Sequence, residues 1–114
     1  MTNKQFEEMN IKIAKKIGWT KFRKERTPEP LNSRRMVGLA PGNFRRQFVP
    51  HFTTNLAYAL QLVDWANKHG YYFELVKSAT MQNYEAMFRK FDIEGIDTAT
   101  LPSMAICKAF LQIK

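Results

Sequence analysis

The chain predicts a small α+β protein, ordered helix, one or two strands, helix, two strands, helix, with a largely antiparallel sheet. Apolar residues recur at helical spacing in three separate stretches, near residues 3–17, 53–70 and 100–113. The segments between residues 71 and 91 are aromatic and β-branched and need no crossover helix, which favours antiparallel pairing. With 114 residues, 45% apolar and 13% aromatic, the chain can bury one compact core and is read as a single domain over 1–114.

In the first helix Phe6, Met9, Ile13 and Ile17 form the apolar stripe, and Gly18 stops it. Lys15 and Lys16 complement the dipole of its last turn, and Trp19 is placed to fold back onto the stripe. Residues 20–26, "TKFRKER", alternate as a strand with Thr20, Phe22 and Lys24 on one face and Lys21, Arg23 and Glu25 on the other. A strand this charged belongs at a sheet edge.

Residues 27–50 form an extended Pro/Arg-rich loop or hairpin. Ala40-Pro41-Gly42-Asn43 reads as a type II turn, which would pair 35–39 with 44–49. Alternation then places Phe44, Arg46 and Phe48 on one face, with the aromatics turned toward the core.

Thr53 and Thr54 offer N-cap hydroxyls to a helix whose stripe is Leu56, Ala59, Leu60, Val63 and Ala66, ending at Gly70. "YYFELVKS" and "NYEAMFRKF" then read as an antiparallel hairpin, and "FDIEGID" as a solvated acidic turn. The last helix takes Thr100 as cap, tolerates Pro102 in its first turn, and is apolar nearly all round apart from Lys108 and Gln112. Such a helix is covered by protein or contributes to an oligomer interface.

Charge is distributed unevenly. The formal total is +8, and residues 1–50 carry all of it: twelve Lys and Arg stand there against four Glu, while six of each sign balance in residues 51–114. This asymmetry points to an anionic partner or to a surface kept soluble by repulsion. No apolar run is long enough to span a bilayer and the first residues lack a secretory layout, so no membrane partner and a cytoplasmic location are expected.

Chemistry-bearing patterns are scarce. The one cysteine, Cys107, has no second thiol and reads as a small core residue. His51 and His69 have no second ligand at metal spacing, and Asp92, Glu94 and Asp97 lack the layout of a calcium loop, so no metal and no cofactor are expected. Asp97 and Thr98 read as leading into the last helix. No nucleophile elbow, phosphate-binding glycine loop or dinucleotide fingerprint is present, and no catalytic residue is assigned.

Three stretches carry a resemblance: an opening helix running into "IGW", the entry "VPHFTTNLAYALQLVDWANKHGYYFEL", and the tail "GIDTATLPSMAICKAFL". Over residues 9–113 the chain resembles the phage ABA-sandwich domain family of small phage and prophage proteins. The resemblance implies an α/β/α sandwich and a phage origin, and brings no activity with it. The chain departs from that pattern at Arg34, Arg35, Arg45 and Arg46, and at Gly38-Leu39, where relatives tend to carry tryptophan.

Two segments interleave cations with aromatics, 21–26 and 44–48, a mixture suited to phosphate and to base stacking. The candidate anion-binding set is Lys21, Arg23, Lys24, Arg26, Arg34, Arg35, Arg45 and Arg46. With the aromatics turned inward, these cations would act through phosphate, and stacking would be secondary. The first expectation is a noncatalytic phage accessory protein binding a nucleic acid, host nucleotide or nucleotide signal, which requires the cations to converge on one side. The alternative is a protein interaction module, with a host or phage protein or a second copy as partner, using the apolar last helix or the tip of the Pro-rich loop. A small enzyme acting on nucleotides and a virion component are lesser readings.

Overall fold

The computed structural model describes residues 1–26 and 34–114, with the side chains of Arg26 and Arg34 outside the description. The Pro-rich beginning of the 27–50 stretch therefore lies outside the described residues. The expected α+β class is what the structure shows: three helices and six described strands, every pairing antiparallel. The strands divide between two three-stranded sheets, and the chain divides into two compact units, Met1–Pro50 and His51–Lys114.

In the first unit, α1 (Asn3–Lys16) opens on a reciprocal cap: Gln5 N–H donates to Thr2 Oγ1 at 3.2 Å and Thr2 N–H to Gln5 Oε1 at 2.8 Å. It closes as expected at Gly18, whose φ of +102° suits a residue without Cβ. Gly18 N–H returns to Lys15 O and Trp19 N–H to Ala14 O, a double closure that folds Trp19 into a buried position.

The chain continues into β1 (Thr20–Arg26), which pairs with β2 (Arg34–Leu39), itself paired with the short β3 (Gln47–Phe48). β1 is an edge, as its charge requires, but its alternation is broken. Thr20 opposes Leu39 and Arg23 opposes Val37, so Lys21 and Phe22 together oppose Gly38, with Lys21 at φ +55°. This is a bulge, and it changes the faces. Arg23 and Glu25 now share a face with Thr20, while Lys24 falls on the opposite one.

The turn at 40–43 forms as predicted, with Asn43 N–H on Ala40 O and Gly42 at φ +79°. The strand after it is two residues rather than six. Pairing begins only at Gln47, so residues 44–46 lie outside the ladder and alternation does not govern them.

In the second unit α2 (Leu56–Lys68) is capped by Asn55, whose side chain accepts from Tyr58 N–H at 3.3 Å, and not by either threonine. Thr53 is buried instead, and its carbonyl accepts from Ser103 Oγ at 2.8 Å, tying the entry of α2 to the start of α3. The buried stripe is Ala59, Leu62 and Ala66, leaving Leu56 and Leu60 exposed. The helix thus presents its slimmer alanine face to the core. Gly70 repeats the closure seen at Gly18, with Tyr71 N–H on Ala66 O.

The hairpin β4 (Tyr72–Lys77) and β5 (Tyr84–Arg89) is as predicted, but the acidic stretch after it is a third strand, β6 (Ile93–Ala99), rather than a turn. The rungs fix two faces. Phe73, Leu75, Ala86, Phe88 and Gly95 lie on the inner one, where Phe73 and Phe88 rings meet at 5.0 Å, and Phe88 meets Phe110 of α3 (Pro102–Phe110) at 5.8 Å. Trp65 of α2 extends the series to Phe110 at 5.5 Å. The outer face carries Tyr72, Glu74, Val76, Glu85, Met87, Arg89, Ile93, Ile96 and Thr98.

α3 starts after Leu101 with no side-chain cap, Thr100 not serving, and Pro102 in its first turn. Ile106, Phe110 and Ile113 are all but fully buried, and α3 packs on β5, β6 and α2. The apolar faces proposed for an oligomer interface are therefore taken up within the chain. Lys108 of α3 and Gln112 just beyond its end cover the free edge of β6: Gln112 accepts from Ile96 N–H at 3.2 Å and donates to Ile96 O at 3.0 Å, while Lys108 Nζ donates to Thr98 O at 2.9 Å. Asp97, expected to lead into the helix, is held by Lys108 at 3.3 Å and Gln112 at 3.0 Å. A side-chain amide thus occupies the place another strand would take, which blunts that edge against self-pairing.

Candidate nucleic-acid interface

The division into units coincides with the division of charge. Met1–Pro50, one compact body, holds the whole net charge of +8, and His51–Lys114 is neutral. The eight candidate cations do not share one face of the first sheet. Arg23 and Arg35 lie on one side with Val37 and Phe48, Lys24 lies on the other, and nothing is described of the Arg26 and Arg34 side chains.

Two of the candidates have structural employment. Arg23 Nε donates to Glu25 Oε1 at 2.9 Å across one intervening residue, an exposed pair that neutralises one positive charge locally. Arg35 lays its guanidinium over the Phe48 ring at 4.6 Å and donates to Val49 O at 3.3 Å. Its Nε is buried and finds no acceptor among the described residues.

A different subset gathers at one corner. The bulge leaves the Lys21 carbonyl available, and Arg46 reaches from the approach to β3 across the middle strand to donate from Nε to it at 3.0 Å. That bond holds the guanidinium at the bulge while Arg46 as a whole stays exposed. Arg45 precedes it, exposed and with no carboxylate partner among the described residues.

The corner extends to α1. Pro41 of the turn lies where a Cβ on Gly18 would touch its Cγ at 3.1 Å, and Lys15 Nζ stands 5.7 Å from the centre of the Phe22 ring. Its sequence position ties Lys15 only to the helix dipole. The signal that brings it here is Gly18, whose positive φ turns the chain back on the helix.

Phe44 overturns the expectation for the aromatics. Alternation places it partly or wholly in the core, yet it is 100% exposed, and Phe48 is partly so. Pairing that begins at Gln47 leaves Phe44 with no sheet to face, beside two arginines. The face of this ring is therefore open to stacking.

The remaining candidates of the sequence are structural. Cys107 is buried and its thiol is pushed up to about 12 by desolvation, so it stays protonated at neutral pH. His69 caps α2, its Nδ1 at 2.7 Å from Trp65 O and its ring stacked on Trp65 at 3.8 Å. Tyr71 O–H donates to Glu94 at 3.0 Å, and burial with that carboxylate raises the phenol above its usual value. Among the described residues no three His, Cys, Asp or Glu stand together as metal ligands, and no helix is long and apolar enough to cross a membrane.

The architecture defines a small α+β protein with a basic unit and a neutral one. No protein-family profile and no curated protein matches the chain. Among solved structures it is similar to a phage protein from Bacillus cereus ATCC 14579, with a TM-score of 0.65 and 23% identity over 93% of this chain and 88% of that one. At that identity the likeness shows a shared fold.

Proposed function

We propose that this is a phage or prophage accessory protein, of the ABA-sandwich kind its sequence resembles, that binds a single-stranded nucleic acid or a nucleotide-like anion without catalysis. The observation that carries the proposal is Phe44, fully exposed beside Arg45 and Arg46 on the unit that holds all the net charge. An exposed ring accepts a base by stacking and loses no core contact in doing so. Arg45, the fixed Arg46 guanidinium and Lys21 would contact phosphate around it. The similarity in fold to a phage protein supports the origin, and the cytoplasm of the host is where such a ligand is met.

Fluorescence anisotropy with a labelled mixed-sequence single strand, titrated at increasing salt, tests the proposal. Affinity should fall with salt by a log–log slope of about 0.7 per phosphate contacted. Phe44→Ala should weaken binding by about 5- to 150-fold, from a stacking contribution of roughly 1–3 kcal/mol per base, with an unchanged melting curve. Arg45→Ala with Arg46→Ala should lower both affinity and slope, and Lys68→Ala in the neutral unit neither. Absence of binding at low salt, or affinity indifferent to Phe44 and both arginines, rules the interface out.

A further inference from the structure

The outer face of the second sheet is a second feature of the molecule that composition alone would not reveal, and it is independent of the basic unit. Tyr72, Val76, Ile93 and Ile96 on this face are all exposed, Tyr72 by 70%, and half-buried Met87 lies between them. Together they present roughly 400 Å² of apolar side chain, the size at which a patch on a monomer usually serves recognition.

The charges around the patch indicate its partner. On the central strand β5 the outer positions read Glu85, Met87, Arg89: an apolar residue flanked at equal distance by opposite charges. Neither Glu85 nor Arg89 has an ion-pair partner among the described residues. Such an arrangement is complementary to itself.

We infer that this face is the interface of a symmetric dimer of the chain. A two-fold axis lying between two copies and crossing β5 at Met87, perpendicular to the strand, stacks the faces with the β5 strands antiparallel. Arg89 of each copy then stands over Glu85 of the other, Met87 meets Met87, Ile96 meets Ile96, and Tyr72 faces Val76. An axis running along β5 would instead set Arg89 on Arg89 and Glu85 on Glu85. Stacked sheets cross at about 30°, which displaces residues ~7 Å from the axis by only ~4 Å, a gap that Glu and Arg side chains span.

The symmetry also names a cost. Glu74 shares the rung of Met87 and Ile96, on edge strand β4, and meets its own copy at the rim. A face of three strands of six or seven residues buries roughly 600 Å² per copy, at the lower bound for a specific interface. The dimer should therefore be weak, with a dissociation constant on the order of tens of micromolar.

Sedimentation velocity over a concentration series up to roughly 500 μM measures it. The 13.4 kDa chain should approach twice its mass as concentration rises. Arg89→Glu and Glu85→Arg should each weaken self-association by 10-fold or more, because each places two like-charge pairs across the axis. An equimolar mixture of those two variants should associate as the parent does, since every facing pair is again Glu on Arg. Glu74→Gln should tighten the dimer. Circular dichroism of each variant should match the parent, as all three positions are exposed. A chain that stays monomeric throughout, or a dimer that neither charge variant weakens and the mixture does not restore, overturns the inference.

Discussion

Gly95 is where the sequence has least freedom. It lies on the inner face of β6, and a Cβ added there would fall on the Ala109 carbonyl oxygen, with the carbonyl carbon at 3.0 Å and Ile113 Cγ2 at 3.1 Å. The obstacle is helix backbone, which cannot rotate aside as a side chain could. In Gly95→Ala, α3 must retreat from β6 by ~1 Å, and a gap of that size forfeits a quarter to a half of each dispersion contact across it. The contacts at stake include those of fully buried Ile106 and Phe110. The cost should be about 3 kcal/mol, at the upper end of core overpacking, reduced by less than ~1 kcal/mol through the stiffer unfolded chain. Urea denaturation followed by circular dichroism measures it. The control is Gly42→Ala, where nothing lies within 4 Å but φ is +79°, so only backbone strain of about 1 kcal/mol is expected. Equal effects at the two positions, or a loss below ~1 kcal/mol at Gly95, would refute the claim that α3 is seated against β6 backbone to backbone.

Gln112→Ala should uncover Ile96 N–H and C=O at the edge of β6, costing about 1–2 kcal/mol and accelerating hydrogen exchange at the Ile96 amide. Ile106→Ala should behave as a core lesion, losing about 2–5 kcal/mol in denaturant titration, because the residue is fully buried. The Cys107 thiol should resist alkylating reagents at pH 8 until the chain is unfolded by urea. Its value in the folded chain, about 12, lies above the ordinary 9.0, so the folded state holds this proton more firmly. Stability from that source is complete below about pH 9 and is lost as pH rises toward 12, amounting to about 2 kcal/mol between pH 8 and 10.5. Comparison with Cys107→Ala isolates it: a parent and variant with the same alkaline loss would show the thiol to be ionising freely.

Much of the fold was legible because it rests on short-range physics. The helix ending at Gly18, the turn at Gly42 and the hairpin from Tyr72 to Arg89 each depend on a glycine torsion or on alternation within a few residues. β6 was missed because "IEGIDTA" has a glycine, an aspartate and little alternating apolarity. It is a strand because it pairs with β5, and its glycine answers the passage of the α3 backbone over it, a demand made from across the core. The caps of α2 and α3 were missed for a related reason. Thr53 is engaged through its backbone by Ser103, fifty residues further on, which leaves Asn55 to cap the helix.

The candidate site divides the same way. Residue types and the confinement of charge to the first fifty residues are properties of the chain, and they hold whatever its fold. Which cations work together is not such a property. A one-residue bulge at Lys21 turned Arg23 and Glu25 onto the face of Thr20 and Lys24 onto the other, the reverse of what unbroken alternation gives. Pairing that starts at Gln47 instead of Phe44 turned a presumed core ring into an exposed one. A strand has a period of two, so a single slip inverts every side chain beyond it, and no local pattern records where the slip falls. The sequence thus determined composition, class and the net charge of each unit, since those sum over residues. The tertiary structure decided which of those charged and aromatic residues share a face and which stand exposed, because facing depends on register.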